Sequence, residues 1–114
     1  MKSIIYHNER CSKSRQALHI LEDEKIPHTV RYYLEDPLSK AEIKALHKKL
    51  DVPLSEMVRP QGEFFKDLFA AEQPTDDHLL QALVKYPVLL QRPIVETAEK
   101  AVIARPPEKL HEIL

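Results

Sequence analysis

A chain of 114 residues is one domain by length and large enough to bury a core of its own. With 43% apolar and 31% charged residues and a formal charge of -1, it offers no electrostatic case for nucleic acid or an acidic membrane as partner. One glycine excludes glycine-rich phosphate loops, and one cysteine excludes an internal disulfide, so any bound anion must be held by other means.

The N-terminal apolar run is too short for a signal peptide, and no segment approaches membrane-spanning length; a cytoplasmic protein is expected. "KSIIYH" predicts a buried strand ending near His7. From Ser12 to about Glu24, Ala17, Leu18, Ile20 and Leu21 recur at helical spacing, and the pattern breaks before Pro27. "HTVRYYL" predicts a second strand. Ser39 followed by Glu42 is a capping-box signature opening a helix through "AEIKALHKKL". "PLSEMV" and "EFFKDLF" predict further helical turns, and Thr75 is suited to cap a helix over "DDHLLQALVKY" that Pro87 stops. "PIVET" and "KAVIA" predict a hairpin, and "PPEKLHEIL" a final helix. The predicted order is therefore β-α-β, a helical insertion, then β-β-α, the order of a thioredoxin-like α/β domain.

Cys11 falls between the first strand and the first helix. The first amides of a helix lack internal partners and carry the positive end of its dipole, so a thiolate placed there is stabilised. Such placement lowers a thiol pKa from ~8.5 into a range of about 3.5 to 7.5, and the thiolate is the nucleophile. A lone cysteine is also a common buried hydrophobe, but the flanking "RCSKSR", with its cations and hydroxyls, is poor company for apolar burial. In "CSKS", Ser14 stands where a Cys-x-x-Cys motif has its second thiol, so a disulfide-based cycle needs a sulfur from outside. His7 either pairs with the thiolate, donates to it, or merely ends the strand.

Of six arginines, Arg59, Arg92 and Arg105 each directly precede a proline. The residue before proline is pushed into an extended conformation, so each should leave a loop or strand end rather than a helix face. Their planar forks suit an oxyanion, and three could converge on one. The six histidines show no clustered ligand spacing, and no metal is expected.

With these residues in view, the sequence resembles the glutaredoxin-coupled arsenate reductase family nearly end to end. The resemblance is carried by "IYHN", "CSKSR", "YLEDP", "MVRPQGEFFKDL", "TDDHLLQAL", "YPVLLQRPIV" and "ARPPEKLHEIL", in that order. It implies a single thioredoxin-like domain over residues 1–114, with a helical insertion at roughly 38–86. The implied activity is reduction of arsenate to arsenite, with no bound cofactor, glutathione as co-substrate and glutaredoxin as partner. Cys11 matches the family's nucleophile and His7 the histidine that lowers its pKa. Ser14 and Arg15 match the anion loop, Arg59, Arg92 and Arg105 match the oxyanion-binding arginines, and Pro93 matches a cis proline. Glu9 and Ser12 depart from the proline and glycine that the family commonly carries there, and a carboxylate beside a thiolate and an anion opposes both. Two other readings are a glutathione-linked thiol oxidoreductase with another substrate and an Spx-like interaction protein that binds RNA polymerase. Spx-type regulators usually carry a Cys-x-x-Cys switch, which Ser14 removes.

Overall fold

The computed structural model describes residues 3–59 and 75–114. In chain order these form β1 (Ser3–His7), α1 (Ser12–Asp23), β2 (His28–Tyr32), α2 (Lys40–Leu50), a 3-10 helix (Leu54–Met57), α3 (Asp76–Lys85), a short 3-10 turn (Pro87–Leu89), β3 (Ile94–Glu96), β4 (Ala101–Ile103) and a 3-10 helix (Pro107–Glu112). The helix expected over "EFFKDLF" lies outside the described residues.

The sheet has the strand order β2-β1-β3-β4. β1 and β2 are parallel, with α1 as their crossover, whereas β3 runs antiparallel to both β1 and β4. Successive strand residues point to opposite faces, and the two cores follow from that alternation. Ile5 and Val95 face Ala17 and Leu21 of α1 and Leu110 of the terminal 3-10 helix. Tyr6 and Ile94 face the other way, onto Ile43, Leu46, Leu79 and Leu83 of α2 and α3. The sheet is thus covered on both sides. Lys49 of α2 is tied to the sheet by a 2.6 Å ion pair with Glu96, whose other oxygen accepts the Tyr6 hydroxyl at 2.6 Å.

Local signals explain where the elements begin and end. Ser39 and Glu42 form both hydrogen bonds of the capping box at α2, and Thr75 accepts the His78 amide at the start of α3. The final segment is a 3-10 helix where an α-helix was expected. Two adjacent prolines supply no amide donors, and the Lys109 amide reaches Pro106, three residues back, in place of a four-residue bond. "PLSEMV" likewise closes as a 3-10 helix, and the second strand stops at Tyr32, leaving Tyr33 and Leu34 in a turn. Among the described residues, no helix is long and apolar enough to cross a membrane.

Strand register places several chain segments at one edge of the sheet. β1 ends at His7, level with Tyr32 of β2, so the loop to Cys11 and the turn at Tyr33 leave side by side. β3 enters at that same edge, since Ile94 pairs with Tyr6, which brings Arg92 and Pro93 up to the loop after His7. Ile103 pairs with Ile94, so Arg105 leaves there too.

Candidate active site

Cys11 is the N-cap residue of α1, with extended backbone angles (φ -94°, ψ 121°). At this position serine, threonine or aspartate ordinarily offers an oxygen to the second or third helical amide. Here a thiol stands at that position and makes no side-chain capping hydrogen bond. Burial pushes the Cys11 thiol up, but the Ser14 amide, the Arg92 guanidinium and the Lys13 amide outweigh it and hold the thiol below its ordinary value. The lowering therefore has two sources, free backbone donors and one fixed cation. The thiol is partly exposed, so a nucleophile formed there can be reached from solvent.

Arg92 is 9% exposed, and its Nε and Nη1 are buried without a hydrogen-bond partner. A cation desolvated and left with unused donors is costly, by about 1–3 kcal/mol for each unmade bond, unless a ligand completes it. The extended conformation expected of a residue before proline is present: Arg92 leads into β3 through a cis peptide bond to Pro93, as the resemblance implied. Arg105 also precedes a cis proline. Its Nη1 donates to the Arg92 carbonyl at 2.9 Å, so it braces the segment that carries Arg92. Arg59 reaches the same region through the main chain. Its amide donates to Leu89 at 2.6 Å, the Gln91 amide donates to Met57 at 2.7 Å, and Val58 bridges Leu90 antiparallel. Its side chain forms no hydrogen bond or ion pair among the described residues.

The remaining sequence-predicted residues shape the loop. Ser14 is fully buried, and its hydroxyl lies 2.6 Å from His7 Nδ1 and accepts the Asn8 amide at 3.0 Å. His7 is 3% exposed, and burial, aided by Arg15 and opposed by Glu9 and Glu22, moves its imidazole below the usual histidine range. A neutral ring therefore fixes Ser14, and through it the first turn of α1. Among the described residues it forms no hydrogen bond to Cys11. Arg15 is exposed and donates to the Glu9 carbonyl at 2.9 Å, so it braces the loop from outside. The Asn8 carboxamide accepts the Arg10 amide at 3.0 Å, and the Asn8 carbonyl accepts the Cys11 amide at 3.0 Å. Glu9 is exposed, which keeps its carboxylate solvated.

Tyr33 and Asn8 belong to this neighbourhood although sequence reasoning gave them no part in it. Burial raises the Tyr33 phenol above its ordinary value, against the lowering influence of Arg92 and Asn8, and Cys11 also acts on it. The signal was available in "RYYL": neighbouring strand-end residues face opposite ways, and here Tyr32 is exposed whereas Tyr33 is buried. Among the described residues, no three of His, Cys, Asp and Glu come together in a way that could hold a metal ion.

A thiol held below its ordinary pKa at a helix start, beside a desolvated arginine with unpaired donors, is suited to covalent chemistry on an oxyanion. Comparison with known proteins bears on the family. The model of the ArsC family matches residues 6–113. The chain belongs to the ArsC family. Within the ArsC family, it is 38% identical to an arsenate reductase of Haemophilus influenzae over the full length of both proteins. It is 40% identical to the uncharacterised Escherichia coli protein YfgD, covering 96% of this chain and 94% of that one. The solved structure of an arsenate reductase from Vibrio cholerae superposes with a TM-score of 0.94 at 40% identity, covering 100% of this chain and 98% of that one. The ArsC relatives therefore match this chain's thioredoxin-like architecture as well as its sequence.

Proposed function

We propose that this protein is an arsenate reductase that uses glutathione and glutaredoxin. One observation carries the reading: the Arg92 guanidinium is buried beside the Cys11 thiol with Nε and Nη1 unpaired, a receptor for an anion at the nucleophile. The names of the full-length relatives support arsenate as that anion.

In the proposed cycle the Cys11 thiolate attacks arsenic, a sulfur-arsenic bond forms, and an arsenic-oxygen bond breaks with departure of water after protonation. The amides of Lys13 and Ser14 and the Arg92 guanidinium hold the thiolate before attack, and Arg92 holds substrate oxygens during it. Glutathione supplies the second thiol. Its sulfur forms a disulfide with Cys11 as the sulfur-arsenic bond breaks, and the electron pair of that bond stays on arsenic, which leaves as arsenite. Two thiols are oxidised to one disulfide and arsenic gains two electrons. A glutaredoxin thiolate then takes the glutathione sulfur and returns Cys11 to the thiol. The external sulfur is required because Ser14 occupies the position where a resolving cysteine would stand.

The reading is tested by arsenite formation from arsenate with purified protein, glutathione and glutaredoxin. Turnover is expected to need all three. Reduction of a mixed disulfide without any arsenite formed would make the protein a thiol oxidoreductase of another kind.

A further inference from the structure

The mechanism above gives no task to one fully buried polar side chain at the site. Tyr33 is 0% exposed. Its ring belongs to the apolar core with Leu38, Ile43, Leu83 and Leu90, a setting in which phenylalanine would serve equally well. Its hydroxyl has no hydrogen-bond partner among the described residues. A buried hydroxyl left unpaired destabilises the free protein, and such orphans in a native structure call for a reason. Its surroundings supply one. Tyr33 leaves β2 directly after Tyr32, which pairs with His7 at the end of β1, and Arg92, Asn8 and Cys11 act on its hydroxyl, so it lies at the thiol site. Arg92 Nε and Nη1 are orphaned in the same place. Arg92 and Asn8 lie near enough for their donors to act on the phenol, but neither reaches hydrogen-bond geometry with it. Three donor atoms without a hydrogen-bond partner beside one thiol are suited to receive an anion.

We propose that Tyr33 contacts the substrate, its hydroxyl donating a hydrogen bond to an oxygen of the tetrahedral oxyanion that Arg92 holds beside Cys11. The phenol leaves the end of β2 whereas Arg92 enters β3, so the two donors approach the anion from opposite sides of β1. This inference rests on the arsenate reductase reading only for the identity of the anion.

Tyr33→Phe removes the hydroxyl and keeps the ring. Three measurements are made on the variant and the parent: the arsenate dependence of turnover, the concentration of arsenate that protects Cys11 from iodoacetamide, and the melting temperature. Loss of one hydrogen bond to a charged acceptor is expected to raise both arsenate concentrations roughly 10- to 100-fold. The melting temperature should be unchanged or higher, because an unpaired buried group has been removed. The pH profile of Cys11 alkylation without anion should not move. Unchanged arsenate dependence would overturn the proposal. A lowered melting temperature would overturn it too, by showing that the hydroxyl bonds within the fold. A shifted anion-free pH profile would instead make it a donor to the thiolate. Should the parent protein form no arsenite, the proposed function falls by itself, and protection of Cys11 by arsenate, compared between parent and variant, still decides the role of Tyr33. Absence of protection in the parent overturns it.

Discussion

Cys11→Ser is expected to lower arsenate reduction by at least about three orders of magnitude while leaving the fold intact. The sizes of sulfur and oxygen are close enough that the loop from Asn8 to Cys11 has no reason to rearrange. Serine is moreover a favoured N-cap, and its hydroxyl can accept from the same Lys13 and Ser14 amides that lower the thiol pKa. A melting temperature no lower than that of the parent should therefore accompany the loss. What serine cannot do is ionise near neutral pH or form the disulfide that releases arsenite. Steady-state arsenite formation with glutathione and glutaredoxin is the measurement, and retained turnover in the variant would end the assignment of Cys11 as nucleophile.

Arg92→Ala is expected to produce the second largest change, with two signatures that travel together. The arsenate concentration needed for half-maximal turnover should rise by roughly 10- to 100-fold or more, since charge-assisted hydrogen bonds to the anion are removed. The thiol should also titrate higher than in the parent, because the guanidinium beside it contributes both charge and a hydrogen bond to the thiolate. Stability should not suffer in proportion. The side chain is buried with two nitrogens unpaired, so its removal relieves a desolvated charge, and the carbonyl that Arg105 grips remains in place. Arg92→Lys retains charge but not the planar fork, and should recover the thiol's titration better than the arsenate dependence. Kinetics and thiol titration both unchanged in Arg92→Ala would remove this arginine from the site.

Much of the fold was legible in the sequence because its signals are local. The capping box at Ser39, the N-cap at Thr75 and the break ahead of Pro87 each act within a few residues, and each falls where the pattern placed it. The final helix is where expected, and only its type differs. Helical spacing was visible in "PPEKLHEIL", but spacing alone does not reveal that two missing proline amides favour three-residue closure. Proline also marked the arginines. It indicated that Arg92 and Arg105 leave strand ends, but it could not tell which one faces the thiol and which one grips a neighbouring carbonyl.

Long-range relations were less accessible. His7 and Ser14 were both singled out, yet their bond to each other depends on where the strand end meets the first turn of the helix, which sequence distance does not specify. Arg15 adjoins the anion loop in the chain, and its Nη1 donates to the Glu9 carbonyl, a contact that sequence distance does not specify. Tyr33 was hidden because an aromatic after a β-rich run ordinarily signals core packing, and its ring does pack in the core. Only the fold shows that its hydroxyl ends among Arg92, Asn8 and Cys11 without a bond of its own.

Backbone donors at the start of α1 together with Arg92 hold the Cys11 thiol below its ordinary pKa. The most direct measurement is the rate of Cys11 alkylation as a function of pH in the parent protein. The folded thiol is lowered, so the rate should rise through a midpoint below the ~8.5 of a free thiol. A midpoint at or above that of a free thiol would contradict the account.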